Sequence, residues 1–147
     1  MPALPAPERE PSVTAPALER VYETVLYGDD LVELVTFYRD VLGLRLVEPM
    51  DELGAAFRLP DGGMLLLFDR ARSLQAGRTV PSHGTEGPGH VAFTVPDSSL
   101  DDWRAAFAAA EVEIEQEVDW RLGGHSIYVR DPAGNSVELA SGEIWAP

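Results

Sequence analysis

The chain has 147 residues, no cysteine and a formal net charge of −14, with 11 basic residues against 25 acidic ones. This length suits one domain with a sizeable core. The acidic balance argues against nucleic acid as a partner, because that binding draws its affinity from basic side chains on phosphates. The absent cysteines exclude disulfides, thiolate nucleophiles and cysteine-based metal clusters, and no apolar run is long enough to span a membrane.

The first 17 residues differ from the rest of the chain. They are rich in proline and lack the basic start and continuous apolar segment of a secretory signal. This composition predicts a disordered leader at residues 1–17 and a cytoplasmic location. A single domain is then expected over residues 18–147.

The first predicted module covers about residues 18–70. Residues 20–27 alternate as a half-buried strand does. Asp30 stands three residues before Glu33, a capping-box spacing that predicts the start of an amphipathic helix ending at Gly43. Three further strands are predicted at residues 44–48, 55–59 and 64–68.

A loop without periodicity, at about residues 71–88, separates this module from a second one at about residues 89–147. The second module repeats the order: a strand at residues 90–95, a capping box of Ser99 with Asp102, a helix, and three strands. Those strands are predicted near residues 112–116, 126–130 and 136–140.

The repeat also indicates how the two modules are arranged. One βαβββ unit leaves a sheet face uncovered, and a second unit can cover it. The sequence therefore predicts an α+β fold in which two tandem βαβββ modules form a curved mixed sheet around a central cavity. Glu23 in the first module and His90 in the second occupy matching places, 67 residues apart.

Three segments carry a resemblance to a known superfamily: DDLVELVTFYRDVLGLRLVE in the first module, GPGHVAFTV where the pattern restarts, and GGHSIYVRDPAGNSVELAS near the end. They resemble the vicinal-oxygen-chelate superfamily, which includes glyoxalases, bleomycin-binding and fosfomycin-resistance proteins, and extradiol dioxygenases. The resemblance implies a glyoxalase-like fold and a metal held at four positions. These positions fall on Glu23, Leu66, His90 and Glu138, of which Leu66 cannot bind a metal.

The chemistry of the remaining three residues agrees with a metal site. Strand alternation places Glu138 opposite Val137 and Leu139, and His90 opposite Val91. Two carboxylates in one cavity of low dielectric would repel each other, and a divalent ion would relieve that repulsion. One imidazole and two carboxylates suit Mn²⁺, Fe²⁺, Ni²⁺ or Zn²⁺.

The resemblance also implies roles for other residues and a partner. Glu138 and Glu23 are expected to be catalytic as well as metal ligands, and Ser126 and Tyr128 are expected to contact a small-molecule substrate. Members of this superfamily commonly form homodimers, so a homodimer is expected. Some of them build each site from two chains.

Four functions remain open at this stage. The first is a glyoxalase-like lyase or isomerase, in which a metal coordinates adjacent substrate oxygens and a carboxylate transfers a proton. The second is a thiol transferase of the fosfomycin-resistance type, disfavoured because residues 139–147 contain no lysine or arginine. A dioxygenase would need a second imidazole where Glu23 stands. The fourth is a metal-free protein that binds a drug or metabolite, as bleomycin-binding relatives do.

Overall fold

The computed structural model describes residues 15–48 and 51–147. The elements of the first module are β1 (Glu23–Gly28), α1 (Leu31–Thr36), β2 (Arg45–Glu48), β3 (Gly54–Arg58) and β4 (Met64–Asp69). A short helix follows, α2 (Arg70–Ser73). The second module contains β5 (His90–Thr94), α3 (Leu100–Ala109), β6 (Ile114–Asp119), β7 (His125–Arg130) and β8 (Ser136–Ser141).

The first helix begins where the sequence predicts. The Asp30 carboxylate accepts a hydrogen bond from the Glu33 amide at 3.1 Å, which satisfies one of the free N–H groups of the first turn. The helix continues as a π-helical turn, Phe37–Val41. It then gives way to Gly43, whose φ of +69° is a conformation that glycine adopts without strain.

Two details of the sequence prediction are wrong. Ser99 forms no capping box with Asp102, because its hydroxyl donates instead to the Pro96 carbonyl at 2.6 Å within a 3₁₀ turn, Asp97–Ser99. The segment after β4 is not entirely a loop, since the Asp69 carboxylate caps α2.

Each module forms its own four-stranded mixed sheet. The strand orders are β1-β4-β3-β2 and β5-β8-β7-β6. In both sheets the first strand pairs in parallel with the last strand of its module, and the remaining pairs are antiparallel. The predicted α+β fold of two βαβββ modules is therefore confirmed.

The two sheets share one hydrophobic core. Leu65 and Leu67 of β4 belong to the same buried cluster as Val137 and Leu139 of β8. Because successive side chains of a strand point to opposite faces, the residues between them lie on the faces turned away from this core. We call these the outward faces of sheet 1 and sheet 2.

A network of buried hydrogen bonds joins the two modules. The Tyr38 hydroxyl donates to Asp131 Oδ2 at 2.8 Å. Asn135 Nδ2 donates to the Tyr27 carbonyl at 3.2 Å, and Asn135 Oδ1 accepts from the Gly89 amide at 2.7 Å. Burial raises the pKa of Tyr38, and the adjacent Asp131 carboxylate raises it further, so the tyrosine remains protonated and acts as a donor.

The predicted leader falls largely outside the described residues, which begin at Ala15. Residues 15–22 form neither helix nor strand. Across the part of the chain that the structure describes, no helix has the length and apolar character needed to cross a membrane.

Candidate metal centre

The outward face of sheet 2 brings two of the predicted ligands together. His90 begins β5, and Glu138 lies in the middle of the neighbouring strand β8. Their Nε2 and Oε2 atoms are 3.2 Å apart. His90 is half exposed, whereas Glu138 is only 5% exposed. A buried carboxylate and an accessible imidazole therefore face each other at the rim of sheet 2.

The contact made by the other ring nitrogen of His90 determines which nitrogen carries the proton. His90 Nδ1 lies 3.1 Å from the Ser136 carbonyl oxygen, which can only accept, so Nδ1 carries a proton. The Nε2 atom then faces Glu138 Oε2, and an imidazole nitrogen and a carboxylate oxygen placed in this way are both suitable ligands for a divalent ion.

The remaining oxygen of Glu138 is held from inside the sheet. The fully buried Ser126 hydroxyl donates to Glu138 Oε1 at 2.6 Å. Ser126 Oγ in turn accepts from the Trp120 indole N–H at 2.8 Å. Both carboxylate oxygens of Glu138 are thus occupied, one by a hydroxyl and one by the imidazole.

Tyr128 lies beside this pair, on the same face as Glu138. Its ring stacks on the His90 ring with centroids 6.4 Å apart. Burial raises the pKa of the Tyr128 hydroxyl, and the neighbouring Glu138 carboxylate raises it further. The tyrosine therefore stays protonated near neutral pH and can donate a hydrogen bond to a bound molecule.

Sheet 1 carries the other predicted positions. Glu23 begins β1 and is exposed, and Leu66 lies half-buried in β4 on the same outward face. Within the described residues of one chain, no three histidine, aspartate or glutamate side chains are grouped so that they could hold a metal ion. The structure thus brings His90 and Glu138 together, whereas Glu23 of the same chain does not join them.

The donor set of sheet 2 fits a divalent ion as half of a site. An imidazole nitrogen with its tautomer fixed and an oriented carboxylate are common ligands of Mn²⁺, Fe²⁺, Ni²⁺ and Zn²⁺. Among the described residues, the ion-pair partner of the buried Glu138 is His90 and no arginine. A divalent cation bound beside His90 would pair with this carboxylate.

The other two histidines lie elsewhere. His83, in the loop between the modules, hydrogen-bonds the Tyr27 hydroxyl through Nδ1. His125 starts β7 and contacts Glu117 at 3.0 Å and Asp119 at 2.7 Å. Neither histidine belongs to the His90 and Glu138 pair.

A cleft of about 520 Å³ opens between the modules, yet it does not contain this pair. Apolar side chains such as Leu44, Phe93 and Trp103 dominate its lining, and Asp61 is the titratable residue among them. The cleft is therefore largely apolar and separate from the His90 and Glu138 pair.

Sequence reasoning missed two parts of the centre. Trp120 lies in the turn after β6, where no periodicity indicates which way a side chain points. The Ser136 carbonyl is a backbone group, and only the pairing of His90 with Ser136 between β5 and β8 places it beside the imidazole. Both contacts depend on tertiary structure.

Comparison with known proteins supports this fold. Residues 20–139 match the family model described as Glyoxalase/Bleomycin resistance protein/Dioxygenase superfamily. Among curated proteins, the chain is similar to the metallothiol transferase FosB of Staphylococcus epidermidis, with 28% identity over 116 residues, 78% of each chain.

Solved structures resemble the chain over most of its length. The lactoylglutathione lyase from Agrobacterium tumefaciens is 40% identical, with a TM-score of 0.83 over 88% of this chain and 98% of that one. A glyoxalase/dioxygenase from Nostoc punctiforme is 25% identical, with a TM-score of 0.68 over 90% and 97% of the two chains.

Proposed function

The chain belongs to the Glyoxalase/Bleomycin resistance protein/Dioxygenase superfamily, and from this premise we propose that it is a metal-dependent lyase or isomerase. Its substrate is a small molecule with two adjacent oxygen atoms. The observation that carries the proposal is the approach of His90 Nε2 to Glu138 Oε2, 3.2 Å apart with the imidazole tautomer fixed. The 40% identical lactoylglutathione lyase from Agrobacterium tumefaciens supports the reaction class.

His90 and Glu138 of one chain would hold the metal, with Glu23 as the third ligand. Such an ion acts as a Lewis acid that polarises substrate oxygens. The two carboxylates have different environments, and this suggests a division of labour. Glu138 is buried and engaged at both oxygens, so it serves mainly to bind and orient. Glu23 is exposed at the start of β1 and has the freedom to accept and return a proton.

Tyr128 completes the proposed site. Its hydroxyl stays protonated because burial and Glu138 both raise its pKa. A protonated phenol can donate to a substrate oxygen and fix its orientation. Ser126 does not have the available hydroxyl expected of a residue that contacts substrate, because this hydroxyl already bonds to Glu138 and Trp120.

We propose that a second copy of the chain supplies Glu23. The predicted ligands lie on the outward faces of two sheets that share one core, so one chain offers two separate half-sites. β1 and β5, which begin with Glu23 and His90, are both edge strands of their sheets. In a twofold dimer, sheet 1 of each chain would lie beside sheet 2 of the other, and two equivalent sites would result.

A second candidate function is thiol transfer. The 28% identical metallothiol transferase FosB supports it, as does the position of Tyr128 on the outward face of sheet 2. The sequence after Glu138 nevertheless contains no lysine or arginine that could bind an anionic substrate. We therefore place the lyase or isomerase reaction first.

Metal titration tests the proposal directly. Metal-depleted protein is titrated calorimetrically with Mn²⁺, Ni²⁺ and Zn²⁺, and we expect about one ion per chain. Glu138→Gln should weaken binding by more than the ~10–100-fold typical of losing an outer partner of a ligand. Glu113→Gln is the matched control, because Glu113 is an exposed glutamate outside the site.

The loaded protein is then assayed in two reactions. Isomerisation of the hemithioacetal of a 2-oxoaldehyde tests the lyase function, and addition of a thiol to an epoxide tests the transferase function. A wild-type chain that binds no ion stoichiometrically would contradict both functions and favour a metal-free binding protein. A Glu138→Gln variant with wild-type affinity would contradict a metal site at His90 and Glu138.

A further inference from the structure

Three side chains form a hydrogen-bonded series behind the candidate metal centre. The Trp120 indole N–H donates to Ser126 Oγ at 2.8 Å, and the Ser126 hydroxyl donates to Glu138 Oε1 at 2.6 Å. Ser126 is fully buried, whereas Trp120 is 37% exposed. The series therefore runs from the protein surface to the buried carboxylate.

From this series we propose that Trp120 is a positioning residue, which directs the Ser126 hydroxyl proton onto Glu138 and thereby holds the second carboxylate oxygen beside His90. The importance of that orientation for metal binding rests on the proposed function. The hydrogen-bond series itself does not.

Trp120 can have this role because of the hydrogen bonds that the indole and the serine hydroxyl are able to donate. An indole N–H is a donor only, while a serine hydroxyl has one proton and rotates to suit its neighbours. When Trp120 donates to Ser126 Oγ, it occupies an acceptor site there and leaves the serine proton for another partner. Glu138 Oε1 is that partner.

Backbone hydrogen bonds hold Trp120 in a turn, and this turn positions the indole. The Trp120 amide donates to the Gly124 carbonyl at 2.8 Å, and the Gly123 amide donates to the Trp120 carbonyl at 2.9 Å. Gly123 has a φ of +96°, which this turn requires and which favours glycine. A rigid turn thus presents the indole to the face where Glu138 lies.

Mn²⁺ binding separates this role from simple packing. We expect Trp120→Phe, which keeps an aromatic ring but removes the N–H, to weaken Mn²⁺ binding about 3- to 10-fold. Ser126→Ala should weaken it about 10- to 100-fold, as is typical for an outer partner of a ligand. Trp145→Phe is the control, because Trp145 is 81% exposed.

The double variant provides the sharpest readout. If Trp120 acts through Ser126, Trp120→Phe should cost no further affinity in a Ser126→Ala background. Two results would overturn the proposal: Trp120→Phe binding Mn²⁺ as tightly as Trp145→Phe does, or its full effect persisting when Ser126 is alanine.

A spectrum of the metal-free protein tests the series independently of the ion. In a ¹H–¹⁵N correlation spectrum, Ser126→Ala and Glu138→Gln should each shift the Trp120 indole N–H signal and speed its exchange with solvent. An unmoved signal in both variants would overturn the proposal even where Mn²⁺ binds. A wild-type chain that binds no Mn²⁺ but shows both shifts would refute the proposed function and support the positioning role.

Discussion

The two modules present the same scaffold with different outward faces. Glu23 and His90 begin equivalent strands, and Leu66 and Glu138 lie in equivalent strands 72 residues apart. On sheet 2, Glu138 is buried and hydrogen-bonded by Ser126. On sheet 1, the matching place is occupied by an apolar side chain.

This difference shows what a buried carboxylate requires. A carboxylate that is 5% exposed must be compensated for lost hydration, and sheet 2 provides a hydroxyl, an indole behind it and an imidazole in front. Glu23 is exposed and needs no such support. The strand geometry is thus similar in both modules, while sheet 2 surrounds its buried carboxylate with polar groups.

The hydrogen-bond network at Asp131 holds the two modules together. Asp131 accepts from the Tyr38 hydroxyl, from Asn135 Nδ2 and from the Ala133 and Asn135 amides. Asp131→Ala removes the shared acceptor of these four hydrogen bonds, three of which are buried, at a cost of about 3 kcal/mol or more. We expect the melting temperature to fall by roughly 10 °C.

Calorimetry or circular dichroism measures this loss. Tyr38→Phe is the milder comparison, because it removes one donor and should cost about 1 kcal/mol. Equal melting temperatures for Asp131→Ala and the wild type would show that the network does not join the modules.

Leu66→Glu would give sheet 1 the carboxylate that sheet 2 has at Glu138, and so it tests the equivalence of the two positions. Leu66 is half-buried on the outward face and pairs in register with Val25. Leu66→Glu supplies a fourth ligand, and a third carboxylate, to the proposed shared site, and we expect Mn²⁺ to bind at least about tenfold more tightly.

Leu66→Gln is the control of matched size without the charge, and it should remain near wild-type affinity. If Leu66→Glu leaves Mn²⁺ binding unchanged while the protein stays folded, the equivalence of Leu66 and Glu138 fails.

The smallest expected effect concerns His125, outside the centre. Hydrogen bonds from the imidazole to Glu117 and then to Asp119 raise the His125 pKa above its ordinary value of about 6.5. Protonated His125 therefore stabilises the fold below pH 6.5, and this contribution is lost as the pH rises through the raised pKa. His125→Gln should reduce the free energy of unfolding by less than about 1 kcal/mol at pH 5.5 and not at pH 9.

Urea unfolding at the two pH values measures this contribution. An equal loss at pH 5.5 and pH 9 would show that packing of the ring, rather than its charge, is responsible.

Much of this fold follows from local sequence pattern. Alternation in β8 correctly separates Glu138 from Val137 and Leu139, and the Asp30 cap marks the start of the first helix. Alternation gives the face of a strand but not the direction in which that face points. The separation of Glu23 from His90 depends on how two sheets pack on a common core, which is a long-range property.

The failures at Ser99 and Trp120 have a similar origin. The sequence spacing at Ser99 permits a capping box, but a preceding 3₁₀ turn offers its hydroxyl the Pro96 carbonyl instead. Trp120 lies in a turn, and its role emerges only when β7 and β8 bring Ser126 and Glu138 within reach of the indole.

Subunit mixing tests the proposed shared metal centre most directly. Glu23→Gln and Glu138→Gln homodimers should each bind Mn²⁺ weakly, since every site lacks one ligand. After dissociation and re-association at equal concentration, half of the dimers are mixed and each has one intact site, so about a quarter of all sites should regain wild-type affinity. A mixture that binds Mn²⁺ no better than the separate variants would contradict a site built from His90 and Glu138 of one chain and Glu23 of another.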